Sequence, residues 1–354
     1  MADDRRRTGG TRGSNGGRRD ARTREAERHI ADMAARFGRE IEASVAGIKV
    51  YDGIPKVKAK AAVEPAPAPV ESAPAPVGEA GATPAETPES EAASEPAVEP
   101  APAASDLPAA TVVAEDSVEA IIARGRGRAQ FCDLAVLDFA SFVSPGGGYD
   151  RGAWAQEEAL CAESFLYNVL ATQRAWYGEN RRRNINCELY RNRALAVPAV
   201  RFSRGKVHAY ADVIVAAAPN ARRAREEYRV DEEALARALA ERIRLVLAIA
   251  DDLGHEKLIL GAFGCGVFGW DATVVAEAFR AELARGGHVA REVVFAVPRT
   301  RYDEHLAIFE HAFATFPERN GESFADASAR AAEARAARVA AEEDEDEDDW
   351  RRYL

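Results

Sequence analysis

The sequence predicts an α/β domain: a mixed, largely parallel sheet with helices on both faces, three layers in all. Three features predict it. Between about residues 110 and 315, apolar strand-like runs alternate with segments of helical period. Several of the runs, at 134–141, 257–264 and 291–298, are apolar at successive positions, as strands buried on both faces are. Two glycine-rich loops, at 146–148 and 264–269, directly follow two of those runs. Ligands of such sheets bind outside the carboxyl ends of the strands, so both loops are expected at one crevice.

The elements follow in order. Residues 1–18 are basic, polar and glycine-rich, and are expected to be a disordered tail. Residues 20–47 read as a helix, because Ile30, Met33, Ala34, Phe37, Ile41 and Val45 recur at three- and four-residue steps. Residues 48–51 read as a short strand, and 19–53 as an N-terminal helical part of the fold. From 61 to 105 the chain holds ten prolines, eight glutamates and no lysine or arginine. Such a stretch cannot form a core, so 54–109 is expected to be a disordered insertion. A strand and a helix capped by Asp116 or Ser117 come next, then the buried strand at 134–141. A helix is expected from about 154 to 174, with strands at 197–202 and 207–217. Helices are expected at 231–252, 271–285 and 302–315, around strands in 257–264 and 291–298. The domain proper is placed at 110–320. The remainder, 321–354, is read as a helix over about 324–341 running into an acidic tail.

Composition bounds the function. The net charge is −11, but sixteen acids sit in 61–105 and in the run 342–349, leaving about +5 for the rest. A mildly basic surface suits an anionic ligand. The four cysteines are far apart and form no CxxC pair, which excludes a zinc ribbon or a disulfide framework. The N-terminus has no apolar signal segment, and nothing approaches a membrane span, so a cytoplasmic protein with no membrane contact is expected. The six histidines do not cluster, and no metal or cofactor is expected.

The chemistry concentrates in "SPGGGYDRGAWAQEEAL", residues 144–160. Three consecutive glycines let backbone N–H groups approach a ligand with no side chain between. No Gly-Lys-Ser/Thr follows, which excludes a Walker loop. Seven residues after the triplet come Gln156, Glu157 and Glu158 at a helix start. Neighbouring glutamates diverge by about 100° on a helix, so they cannot do the same job. Alone, they could equally be acids placed favourably in a first turn. The second loop, "GAFGCGVFGWD", spells G-x-G-x-x-G at Gly264, Gly266 and Gly269. It comes late in the chain with no ribose-binding acid after the next strand, so a second phosphate cradle is the better reading. Phe268 is placed to stack on a ligand ring or to plug the loop.

Together these stretches resemble the poly(ADP-ribose) glycohydrolases of the compact, bacterial type. The signature is "GGG", a seven-residue spacer and "QEE". "ADVIVAAAPNAR" at 211–222, "LILGAFGCGVFGWDATVVAEAF" at 258–279 and "VVFAVP" at 293–298 extend it over about 110–315. The resemblance implies a macrodomain-like fold with an extra N-terminal helix, and hydrolysis of the ribose–ribose O-glycosidic bond of poly(ADP-ribose). It implies that Glu158 is the general acid and then the base, and that Glu157 orients the ribose. Substrate contacts would come from Asp138, Gly146, Gly147, Gly148 and Gln156, and from Gly264, Cys265, Gly266, Val267 and Phe268. No metal and no cofactor are implied. The partner is poly(ADP-ribose) or another ADP-ribosylated macromolecule as substrate, with no direct nucleic-acid binding and a monomeric chain. Two alternatives stand beside this reading: a non-catalytic ADP-ribose-binding module, and a hydrolase of mono-ADP-ribosylated protein or DNA. The intact Gln-Glu-Glu argues against the first.

Overall fold

The computed structural model describes residues 13–56, 107–183, 186–301 and 304–334. Among these residues, seven strands form one sheet in the order β1-β4-β5-β3-β6-β7-β2. They are β1 (Lys49–Asp52), β2 (Ala109–Val113), β3 (Leu134–Phe139), β4 (Arg193–Arg204), β5 (Val207–Ala216), β6 (Lys257–Leu260) and β7 (Glu292–Ala296). β1–β4 and β4–β5 pair antiparallel, and the remaining four pairings are parallel. β4 and β5 form a hairpin across Gly205–Lys206, where Gly205 takes φ +63°.

The central strands read as unbroken apolar runs because both faces are covered. On one face lie α6 (Ala221–Glu226), α7 (Glu232–Leu253), α8 (Ala272–Leu283) and α9 (His305–Phe313). On the other lie α1 (Gly13–Ala46), α2 (Ser117–Arg124), α3 (Gln156–Ala162), α4 (Leu166–Leu170) and α5 (Arg174–Arg183). Of the predicted α1 stripe, Ile30, Met33, Phe37, Ile41 and Val45 pack on the core, while Ala34 faces solvent. The side chains of Asp116, Asp231 and Asp271 cap α2, α7 and α8.

Three expectations need revision. The helix expected over 154–174 is broken: α3 ends at Ala162, and α4 and α5 follow as separate short helices. Ser164 explains the break, because its Oγ donates to the Leu160 carbonyl at 2.6 Å and accepts the Leu166 N–H at 3.0 Å. Its backbone bridges to Phe202 of β4. A hydroxyl that competes for backbone partners favours a turn over a continuing helix. α6 was not anticipated; it is a short helix capped by the Asn220 side chain. α1 begins at Gly13, inside the stretch read as a tail. Most of that tail (1–12), most of the insertion (57–106) and the chain beyond 334 lie outside the described residues; helix is present over 324–334.

Candidate active site

β3 and β6 are neighbours at the centre of the sheet. The loops leaving their carboxyl ends therefore meet over one cavity of about 860 Å³, the size of a small-molecule site. Gly147, Gly148, Gln156, Glu157 and Glu158 line it from the first loop and α3. Gly264, Gly266, Val267 and Phe268 line it from the second.

The first loop is shaped around the carboxylates. Gly146 and Gly147 take φ +61° and +62°, left-handed backbone that suits glycine. The Gly148 N–H donates to Oε1 of Glu158 at 2.8 Å, and the Ser141 N–H donates to Oε2 of Glu157 at 2.7 Å. A Cβ on Gly147 would run into Glu158 Oε1 and lie 2.8 Å from Glu157 Oε2. Gln156 ties α3 to the end of β3. Its Oε1 accepts the Phe139 N–H at 2.9 Å, and its Nε2 donates to the Leu137 carbonyl at 2.9 Å and to Ser117 Oγ at 3.1 Å.

Beneath the two glutamates lies a third acid. Asp138 is 0 % exposed, and Glu157 and Glu158 are 4 % and 6 % exposed. Neither oxygen of Asp138, nor Oε1 of Glu157, has a hydrogen-bond partner among the described residues. Burial and the charge of Glu158 hold the Asp138 carboxyl well above its ordinary pKa. Burial and the charge of Asp138 also raise Glu157, against the lowering effect of the Ser141 N–H. Fully buried and with no donor facing it, Asp138 is well suited to keep its proton.

The second loop is held from below. Trp270 is buried and its Nε1 donates to the Pro219 carbonyl at 2.7 Å. The Arg222 N–H donates to the Phe268 carbonyl at 2.9 Å. A Cβ on Gly264 would lie 2.7 Å from Trp270 and 2.9 Å from the Ala218 Cβ, whereas one on Gly266 meets nothing within 4 Å. Phe268 leans on Tyr190, with ring centroids 6.3 Å apart.

Three residues expected to touch a ligand do not line the cavity. Asp138 is fully buried in β3. Gly146 faces Tyr167 and Cys161, where a Cβ would lie 2.6 Å from the Tyr167 ring. Cys265 is buried in the turn of the second loop, its N–H bonded to the Ala262 carbonyl at 3.1 Å. Other lining residues were missed. Ser117 and Tyr190 carry no motif, and Ala218, inside the quoted stretch 211–222, was given no role; they reach the cavity through the packing of α2, the segment before β4 and the segment after β5. Arg151 and Trp154 stood inside the quoted motif but were given no role. Among the described residues no group of three or more His, Cys, Asp or Glu could hold a metal ion. No described helix is long and apolar enough to cross a membrane.

With this geometry in view, the chain matches the family model described as "Microbial-type PARG, catalytic domain" over residues 28–205. It is similar to the crystal structure of poly(ADP-ribose) glycohydrolase from Thermomonospora curvata bound to the inhibitor ADP-HPD. That match has TM-score 0.59 and 26 % identity, and covers 82 % of this chain and 98 % of the other. It is also similar to the poly(ADP-ribose) glycohydrolase of Deinococcus radiodurans in complex with ADP-ribose. There the TM-score is 0.51 and the identity 32 %, over 58 % of this chain and 84 % of the other. Among curated proteins, nothing matches the chain.

Proposed function

The chain belongs to the microbial-type poly(ADP-ribose) glycohydrolase family, and from that premise we propose how its residues cleave the ribose–ribose O-glycosidic bond of poly(ADP-ribose). Glu158 protonates the leaving ribose oxygen as the bond breaks through an oxocarbenium-like state. The carboxylate so formed then takes a proton from water, which attacks the sugar carbon and releases ADP-ribose. Glu157, fixed by the Ser141 N–H, orients the ribose hydroxyls. Gly147 and Gly148 and the loop Gly264–Phe268 flank the diphosphate and the terminal ribose, the second loop offering backbone N–H groups to the phosphates, whose negative charge favours the cationic transition state. Phe268 packs on the terminal ribose. Val118, Phe139 and Ala296–Pro298 provide an apolar wall for the adenine.

The observation that carries this reading is Glu158 itself, a carboxyl group fastened by the Gly148 N–H inside a nucleotide-sized cavity. Release of ADP-ribose from purified poly(ADP-ribose) by wild type and by Glu158→Gln tests it. Residues 19–53 and 110–320 together form the catalytic unit in this reading, with 54–109 inserted between them. The antiparallel pairing of β1 with β4 supports that joining. A monomer in the reducing cytoplasm completes the picture, in keeping with four cysteines that form no disulfide.

A further inference from the structure

Part of the catalytic loop has no role in the chemistry above. The Ala153 N–H donates to the Gly148 carbonyl at 2.9 Å, so the loop closes on the glycine that holds Glu158 and sets Trp154 beside it. Trp154 lines the same cavity as Glu158 but is 60 % exposed; the buried Trp176 and Trp270 are 8 % and 4 %. An indole left this open beside a reacting group is a surface without its cover.

Arginines stand on the same loop and on α1 beside it. Arg151 lines the cavity too, with more than half of its side chain in solvent. Its Nη2 donates to the Gly147 carbonyl at 2.8 Å, and its Nη1 lies 3.2 Å from Asp150. Arg19 of α1 donates Nε to the Arg151 carbonyl at 2.8 Å. Gly152, at φ +71°, permits this approach, because a Cβ there would strike the Arg19 backbone. Arg22 lies one turn further along the same face of α1. The outer side of the loop is thus a shelf with an exposed indole and several guanidinium groups, bordering Glu158.

We infer that this shelf is a second nucleotide subsite, which takes the ADP-ribose unit on the leaving side of the scissile bond. Trp154 stacks on the adenine of that unit, and Arg151 with Arg19 meets its diphosphate. The inference rests on the glycohydrolase reading. The leaving unit is joined through the oxygen that Glu158 protonates, so it must pass the part of the rim that carries Glu158, which is where the shelf stands. Each unit of the polymer carries one flat base and two phosphates, and exposed aromatic rings flanked by cations are how proteins hold successive nucleotides of a strand.

The test compares two substrates for wild type, Trp154→Ala and Trp154→Phe. One is poly(ADP-ribose); the other is ADP-ribose joined to a small nitrophenyl leaving group, which has no second nucleotide. The ratio of kcat/KM for polymer to kcat/KM for the nitrophenyl substrate is expected to fall about tenfold in Trp154→Ala, mainly through KM, and to recover in Trp154→Phe. Arg151→Ala is expected to weaken the salt dependence of KM for the polymer. Equal losses on both substrates, or an unchanged ratio, would overturn the subsite. A wild-type protein that cleaves neither substrate would instead overturn the glycohydrolase reading.

Discussion

The backbone N–H of Gly148 reaches Oε1 of Glu158 at 2.8 Å, across a spacer whose far end closes back on the same glycine. The glycine triplet is therefore built around the glutamates as much as around any ligand. Gly146 turns toward the core, Gly147 leaves room for both carboxylates, and Gly148 holds the acid.

Gly147→Ala places a methyl group where the Glu158 carboxylate now lies, on backbone at φ +62°. The acid must move, and displacement of a catalytic group by about 1 Å can cost on the order of a hundredfold in rate. The expected result is a fall in kcat of that order, with a much smaller change in ADP-ribose affinity. Steady-state kinetics beside calorimetric titration checks it.

Gln156→Leu removes three hydrogen bonds and leaves the Phe139 N–H and the Leu137 carbonyl unpaired. A stability loss of about 2–4 kcal/mol is expected, since unpaired buried groups cost about 1–3 kcal/mol each. Urea denaturation of the two proteins measures it.

Asp138 carries a signature in pH. Its folded-state pKa is raised above the unfolded value of about 3.9, so between the two the folded protein binds a proton that the unfolded chain does not. Its contribution to stability is full below the unfolded value and is lost as pH rises through the folded one. Glu157 acts in the same direction. Asp138→Asn keeps the shape and removes the titration. Unfolding free energies from pH 4 to 8 are expected to decline less with pH in the variant than in wild type.

The two second-loop glycines separate folding from binding. Gly264→Ala adds left-handed strain of about 1–2 kcal/mol to a collision with Trp270, and is expected to lower the melting temperature. Gly266→Val meets open space, so the fold is expected to hold while the side chain covers the backbone offered to phosphate. Hydrogen bonds to charged groups contribute about 1.5–3 kcal/mol, so ADP-ribose affinity is expected to fall roughly tenfold or more. Calorimetry and thermal melts together distinguish the two.

Much of this was legible in the chain. The apolar runs at 134–139 and 257–260 are buried on both faces, and such runs announce central strands without tertiary knowledge. Gln156–Glu158 stood at a helix start as expected. The break after Ala162 was hidden because it depends on Ser164 bridging to Phe202, far along the chain. Asp138 stood in a run read as buried on both faces, but that no donor meets its carboxyl was hidden, because that depends on the side chains packed over β3 and not on local pattern. Gln156 reads as a ligand contact in a motif, and only its three partners reveal a tether.

The most direct measurement is ADP-ribose release from purified poly(ADP-ribose) by wild type and Glu158→Gln, with ADP-ribose binding to both followed by calorimetry. The expected result is release by wild type, no turnover by the variant, and similar binding by both. Wild-type protein that binds ADP-ribose yet releases none over hours, or a variant that still turns over, would contradict the assignment of Glu158 as the acid that cleaves the bond.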